Sequence, residues 1–181
     1  MSVDGGEFGD RADTGVGPRR PADSRVQLVQ HMEIVDANLL GNVHGGVVMK
    51  LVDTAAGLAA IKHSGGPVVT VAMDEMSFMK PVRVGDVLTV SAMVNDVGRT
   101  SMEVGVRVEA ESLITGRRVH SSSAYLVYVA LDDEGRPRPV PGIAPETEEE
   151  RRRQAEAKLR QGNRLARKKA IQAARAAKGE D

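Results

Sequence analysis

The hydrophobic pattern divides the chain into a poorly hydrophobic start, a folded middle and a highly charged end. Its clearest feature is residues 102–111, where Met102, Val104, Val106 and Val108 alternate with polar side chains. This period of two is typical of a half-buried β-strand. Four further apolar segments predict strands at residues 26–35, 68–80, 87–94 and 119–131. Glycines in the short connections between the later segments favour hairpin turns.

Residues 45–63 have a different pattern and predict one long helix. Up to residue 61 the only strongly polar side chains are Lys50, Asp53 and Thr54, and a helix that is apolar nearly all round is enclosed by other structure. Gly65, Gly66 and Pro67 predict its end, because glycine favours the helix C-cap and proline follows it. The order of strand, helix and four strands joined by short turns predicts an α+β domain. In it, one antiparallel sheet curls around one central helix, and self-association covers what remains exposed.

The two ends of the chain are predicted to lie outside this domain. Residues 1–24 are rich in Gly, Asp, Arg and Pro and predict a disordered tail. The domain is assigned to residues 25–141, followed by a linker and charged tail at residues 142–181. Residues 147–178 predict a helix that is exposed or weakly docked, because its apolar side chains are few and small. Removal of residues 1–24 and of everything beyond residue 146 is therefore expected to leave a folded, active protein.

Composition narrows the classes of function. The formal net charge is zero and there is no cysteine, so neither a polyanion partner nor thiolate chemistry is indicated. The end from residue 146 is basic, with 11 Lys and Arg against 7 Asp and Glu. Its interleaved glutamates and scarce aromatics argue against nucleic-acid binding. No segment is typical of a membrane span or a signal peptide, so a cytoplasmic protein is expected. The histidines lack metal-ligand spacing, so no metal is expected.

Candidate chemistry concentrates where the long helix begins. Gly45 and Gly46 allow the backbone to come close to a ligand because they carry no Cβ, and the N–H groups of a helix start attract negative charge. Asp53 is predicted to be partly buried, which is unfavourable unless it has a partner or a function. Alternatively, Asp53 could merely cap a polar pocket or form an ion pair with Lys50. Gly45 and Gly46 could equally form only a tight turn.

Five motifs stand out along the chain: residues 36–46 with 49–53, residues 68–71, residues 76–82, residues 84–86 and residues 98–101. Together they resemble the motifs of the hotdog-fold acyl-CoA thioesterases. As a set these motifs are specific, and they span about residues 26–141, which is the whole predicted domain. The resemblance implies a hotdog fold and hydrolysis of the thioester between coenzyme A and an acyl chain. Coenzyme A is then part of the substrate, and no separate cofactor is implied.

The resemblance also implies where the site lies. Asp53 matches the catalytic carboxylate, and Asn42 matches a contributing Asn or Asp before the glycine pair. In the family the two residues face each other from different subunits. Because this chain holds both in one repeat, the resemblance implies a homodimer with two equivalent sites, and it points to a hexamer built from three dimers.

The chemistry of thioester hydrolysis suits these residues. Asp53 could activate a water as general base or attack directly as nucleophile, and both roles stay open. Backbone N–H groups of Gly45 and Gly46 would hold the developing oxyanion. Asn42 would orient the water or the carbonyl, since its amide both donates and accepts, although Asn also suits a turn.

Other interpretations remain open at this point. Arg99 and Ser101 lie at a predicted turn, where they could bind coenzyme A phosphates or simply face solvent. His44 beside the glycines is more typical of a structural role. A non-catalytic acyl-CoA-binding or sensing module is the main alternative function. An interaction protein using the basic tail, and a dehydratase with a His–Asp pair, are weaker alternatives.

Overall fold

The computed structural model describes residues 17–177, and within that range five strands and two α-helices form the fold. The strands are β1 (Val26–His31), β2 (Val68–Phe78), β3 (Asp86–Val97), β4 (Ser101–Ser112) and β5 (Arg118–Ala130). The α-helices are α1 (Gly45–Ser64) and α2 (Glu148–Ala176). Two short 3-10 helices lie at Pro21–Ser24 and Ile34–Asp36.

The strands form one antiparallel sheet in the order β1-β3-β4-β5-β2, and α1 lies against its inner face. The predicted antiparallel sheet around one central helix is therefore confirmed. The short turns predicted between the last four strands would make β2 and β3 neighbours, and in this respect the prediction is wrong. β2 pairs with β5 at one edge, and β3 lies beside β1. The segment at residues 79–85 thus leads away from β2 instead of closing a hairpin, and β1 and β2 are the sheet edges.

The ends of α1 follow from its flanking residues. At the start, the Nδ1 atom of His44 accepts a hydrogen bond from the Gly46 N–H at 2.9 Å. At the end, Gly65 adopts a left-handed conformation with φ of 75°, which glycine adopts without strain. The helix face that packs on the sheet is built mainly from small apolar side chains: Val48, Val52, Ala55, Ala56, Ala59 and Ala60. Small side chains let the sheet approach the helix closely.

The second helix covers the opposite, outer face of the same sheet. Ala157 is 2% exposed and packs inward, while Arg160 forms an ion pair with Glu103 of β4 at 2.7 Å. The Arg160 guanidinium also lies 3.6 Å from the ring centre of Tyr125. Glu103 is therefore buried, although the alternation in residues 102–111 predicts an exposed position. That expectation fails because α2 covers the outer face of β4.

Two more contacts extend this docking along α2. The Gln154 amide donates to Asp96 of β3 at 2.9 Å, and Arg164 pairs with Asp74 of β2. After Leu165 every described residue of the helix is exposed. The expectation of an exposed or weakly docked tail helix thus describes the second half of α2 but not the first. Hydropathy does not reveal these hydrogen bonds and ion pairs, because polar side chains form them.

Residues 17–24 are also folded, contrary to their assignment to a disordered tail. Pro21 and Ser24 are buried, and the Ser24 hydroxyl accepts a hydrogen bond from the Val94 N–H at 2.9 Å. Arg19 exchanges backbone hydrogen bonds with the segment at residues 142–144. Backbone pairing and local turns, rather than apolar burial, hold this segment. The rest of the predicted disordered tail, residues 1–16, lies outside the described residues.

Candidate active site

Asp53 lies in the middle of α1, on the side of the helix that faces away from the core. Its carboxylate atom Oδ1 accepts hydrogen bonds from the Thr70 hydroxyl at 2.8 Å and from the Tyr128 hydroxyl at 2.8 Å. The residue is exposed, and within residues 17–177 no donor reaches its second oxygen, Oδ2. Its partners are therefore Thr70 and Tyr128 rather than Lys50. The carboxylate has one oxygen held and one available.

Thr70 and Tyr128 are directly opposite each other on the paired strands β2 and β5. Opposed residues on neighbouring strands point to the same face, so the two hydroxyls reach the same atom of α1. The β2 register shifts immediately after Thr70, and such bulges re-aim nearby side chains. Burial, and to a lesser degree hydrogen bonding to Asp53, raise the pKa of Tyr128 well above its ordinary value. The phenol therefore stays protonated and acts as a donor.

The two glycines at the helix start differ in the hydrogen bonding of their N–H groups. The Gly46 N–H is occupied by the His44 side chain, so it is not directed at a ligand in this structure. Within residues 17–177, the Gly45 N–H has no acceptor, and the Phe78 ring lies 3.6 Å from where a Cβ on Gly45 would stand. His44 thus has a structural role as the helix cap. Of the two predicted oxyanion donors, Gly45 is the one whose N–H is available.

Asn42 lies in the loop before the helix. Its backbone pairs with Asn38 and with Arg83, and its half-buried side chain makes no hydrogen bond within residues 17–177. The Oδ1 atom of Asn38 accepts from the Leu40 N–H at 2.8 Å and from the Asn42 N–H at 3.3 Å. Asn38 therefore shapes this loop, and its side-chain NH₂ group faces no acceptor within the same range.

The loop and Asp53 are far apart within one chain. Asp53 lies eight positions after Gly45 in α1, which corresponds to about 12 Å along a helix axis. A single thioester carbonyl cannot contact both ends of that span. One chain thus presents two halves of a candidate site, the loop with the helix start and the carboxylate with its hydroxyl partners.

Arg99 and Ser101 lie at the turn between β3 and β4. The Arg99 carbonyl accepts from the Val140 N–H at 3.0 Å, and its side chain is exposed. Neither residue contacts Asp53, so their assignment to coenzyme A binding stays a prediction. Within residues 17–177, no group of three His, Asp or Glu side chains is placed to hold a metal ion.

Several apolar side chains of α1 and β2 are exposed. Those at least 40% exposed are Met49, Leu58 and Ile61 of α1, Val69, Val71 and Phe78 of β2, and Met79 beyond it. The loop at residues 34–40 is also apolar, with Leu39 and Leu40 fully or almost fully exposed. None of the helices within residues 17–177 combines the length and apolar character that crossing a bilayer requires.

Comparison with known proteins agrees with this architecture. The model of the thioesterase superfamily matches residues 40–116. A cytosolic acyl coenzyme A thioester hydrolase of Mus musculus is 38% identical over 145 residues, which are 79% of this chain and 38% of the relative. An uncharacterized acyl-CoA thioester hydrolase of Bacillus subtilis is 38% identical over 128 residues, which are 71% of this chain and 74% of the relative. The chain belongs to the thioesterase superfamily and, within it, to the acyl-CoA thioester hydrolase family. It spans about two fifths of the length of the mouse relative.

Solved structures show the same hotdog fold. An apo-hexameric acyl-CoA thioesterase superposes with a TM-score of 0.81 at 39% identity, covering 84% of this chain and 97% of its own. An Asn-to-Ala variant of an acyl-CoA hydrolase of Staphylococcus aureus, in complex with coenzyme A, superposes with a TM-score of 0.83 at 31% identity, covering 91% of this chain and 99% of its own. That enzyme has been studied with an Asn, an Asp and a Thr each replaced by Ala. Its Asn lies fifteen residues before the Asp, and its Thr seventeen residues after.

Sequence reasoning assigned no site role to Thr70, Tyr128 or Asn38. Thr70 was quoted only as part of a family motif, and its hydroxyl became a candidate once β2 placed it beside Asp53. Tyr128 resembles any other strand residue in the hydrophobic pattern. Its one detectable signal is that a tyrosine on a buried strand face needs a hydrogen-bond partner for its hydroxyl.

Proposed function

We propose that this protein hydrolyses acyl-CoA thioesters to a fatty acid and coenzyme A. The observation that carries the proposal is the Asp53 carboxylate, which holds one oxygen on two hydroxyls and presents the other outward from an apolar helix. The related hydrolases, by name acyl-CoA thioester hydrolases, support the substrate class. The mouse relative is named cytosolic, which supports a cytoplasmic location.

Asp53 would act on the thioester carbonyl, either by removing a proton from an attacking water or by direct attack. The leaving thiolate is stable, so no strong general acid is needed. The exposed Oδ2 atom suits both mechanisms. The Gly45 N–H, at the positive end of α1, would stabilise the oxyanion.

Asn38 joins Asn42 as a candidate for the amide that orients the water or carbonyl. The Asn and Thr substituted in the Staphylococcus aureus enzyme have counterparts at the same spacing from Asp53 here, which are Asn38 and Thr70. Asn42 retains an unengaged side chain nearby. Replacing each Asn separately by Ala tests them, since the one that orients the reaction should lower kcat by about 100-fold.

The complete site would combine two copies of the chain. The separation of about 12 Å between the helix start and Asp53 supports this arrangement, as do the exposed apolar side chains along α1 and β2. We infer a homodimer with two sites, and three such dimers in a hexamer. The neighbouring structure that is named hexameric supports an assembly of six chains. The α2 helix already packs on part of the outer sheet face, whereas the side of α1 that carries Asp53 is exposed.

A panel of acyl-CoA substrates of increasing chain length, with free thiol release measured, tests the activity. The proposal predicts release that depends on enzyme concentration. Binding of acyl-CoA without release would instead indicate the non-catalytic module.

Mixing inactive Asn38→Ala and Asp53→Ala chains tests the shared site. Activity should return, because a mixed dimer holds one intact pair. A mixture that stays inactive after verified subunit exchange would exclude sharing between these two residues, and Asn42→Ala would then take the place of Asn38→Ala in the same experiment.

A further inference from the structure

The Tyr128 hydroxyl contacts two different atoms of the same residue. It lies 2.9 Å from the backbone carbonyl oxygen of Asp53 and 2.8 Å from its Oδ1 atom. The Tyr128 ring is buried beneath α1, with the residue 2% exposed. One phenol therefore spans the main chain and the carboxylate of Asp53, and this contact restricts the side-chain rotamer of Asp53.

We propose that Tyr128 is a positioning residue that, together with Thr70, holds Oδ1 so that Oδ2 of Asp53 points at the thioester. This inference rests on the proposed hydrolase function and adds a residue to it. Two donors from paired strands fix Oδ1 in two directions. Without the phenol, Thr70 alone holds the carboxylate, which can then rotate about its own bonds.

Burial separates this role from substrate binding. Because Tyr128 lies under the helix, it cannot contact an acyl chain or coenzyme A on the exposed side of Asp53. Its removal should therefore leave KM nearly unchanged and lower kcat. A hydrogen bond to a charged group contributes enough free energy for a change of about 10-fold to 100-fold in kcat.

Tyr128→Phe is the direct test, because it removes one oxygen and keeps the ring. The Asp53 carbonyl retains its helical partner, so the variant should fold and lose only a few degrees in Tm. Tyr125→Phe is the matched control. It makes the same change three residues earlier on β5, where the ring lies against Arg160 on the outer face. Its kcat and KM should equal those of the wild-type protein.

Thr70→Ser and Thr70→Val supply an independent comparison. Ser keeps the second hydroxyl and should preserve most of kcat, whereas Val removes it. Combining Thr70→Val with Tyr128→Phe should lower kcat further than either change alone, because no donor then remains on Oδ1. A double variant that retains the kcat of the Thr70→Val single variant would contradict the role of the phenol.

The outcomes separate this inference from the proposed function. If the wild-type protein releases no thiol, the function itself is wrong. If the wild-type protein is active, Asp53→Ala is inactive and Tyr128→Phe retains wild-type kcat, only the positioning role is wrong. If Tyr128→Phe loses its fold or its oligomeric state, the hydroxyl is structural and the inference is also overturned.

Discussion

The two faces of the sheet are covered by two helices through different interactions. On the inner face, α1 packs through small apolar side chains such as Val52, Ala56 and Ala59, none of which is exposed. On the outer face, α2 packs through Ala157 and through polar contacts to Asp74, Asp96 and Glu103. The same strands therefore carry an apolar inner face and an outer face on which the carboxylates of Asp74, Asp96 and Glu103 are buried or partly buried.

The two helices therefore have different roles, because α1 carries the candidate site and α2 shields the outer face of the sheet. The candidate active site lies on α1, the helix whose packing is non-directional and whose exposed side is free to meet a second copy and a substrate. The charged face needs matched partners, because a buried carboxylate without one is strongly destabilising. The α2 helix supplies those partners from within the chain.

The largest effect is expected when the carboxylate on α1 is removed. Asp53→Ala should lower kcat for acyl-CoA by at least about 1,000-fold, because the alanine side chain can neither activate a water nor attack the thioester carbonyl. Stability should change little, since Asp53 is exposed and Tyr128 keeps the Asp53 carbonyl as acceptor. Thiol release and thermal unfolding measure the two properties. Lys50→Ala, one turn earlier on the same exposed side, should keep wild-type activity; equal losses in both variants would contradict the role of Asp53.

The next effect concerns the whole of α2. A chain ending after residue 146 loses every contact of the helix and leaves Asp74, Asp96 and Glu103 without their α2 partners. We expect its Tm to fall by about 10 °C or more. A chain ending after residue 165 keeps the docked half and should retain the full-length Tm.

These two truncations test the expectation from sequence that the tail is dispensable. Both should be compared at equal protein concentration, because the stability of an oligomer depends on it. If both truncated chains unfold at the full-length temperature, α2 docking contributes nothing and the tail is dispensable after all.

A smaller effect isolates one charge pair of the outer face. Arg160→Met should lower the free energy of unfolding by about 2 kcal/mol, because Glu103 stays buried without its cation. Adding Glu103→Met should recover the stability to within about 1 kcal/mol of wild type, since apolar side chains of similar size replace a buried pair well. Denaturant unfolding measures both. A double variant less stable than the single variant would show that the pair is itself stabilising.

The apolar half of this comparison could be predicted from the sequence. Residues 45–63 give a helix pattern that the structure extends by one residue, to Ser64, and the strand segments agree with the sheet to within a few residues at each end. The strand order could not be predicted, because the connection at residues 79–85 is as short as a hairpin yet joins strands that are not paired. The docking of α2 was also missed, since patterns of hydrophobicity do not register pairs such as Arg160 and Glu103.

The site was predictable in part for a similar reason. Asp53 and the glycine pair are unusual within their own segment, so they attract attention without any structure. Thr70 and Tyr128 are ordinary strand residues, 17 and 75 positions away in sequence. Their role depends on the pairing of β2 with β5 and on the rotation of α1, neither of which appears in local sequence.

The smallest expected effect lies at the end of α1, where the segment before α2 packs against the helix. His63 is 1% exposed, its Nε2 atom is 3.0 Å from the Pro141 carbonyl, and burial lowers its pKa below the ordinary value of 6.5. Nearby Arg19 opposes its protonation further, whereas Asp23 and the Pro141 carbonyl favour it. The unfolded chain therefore binds a proton that the folded chain does not. This contribution to stability is complete above about pH 6.5 and is lost as the pH falls below that value, by at most about 1.4 kcal/mol per pH unit.

His63→Gln keeps a donor for Pro141 and does not titrate, so its Tm should fall less between pH 7 and pH 5 than that of wild type. Parallel Tm curves for the two proteins over this interval would show that His63 does not couple folding to pH.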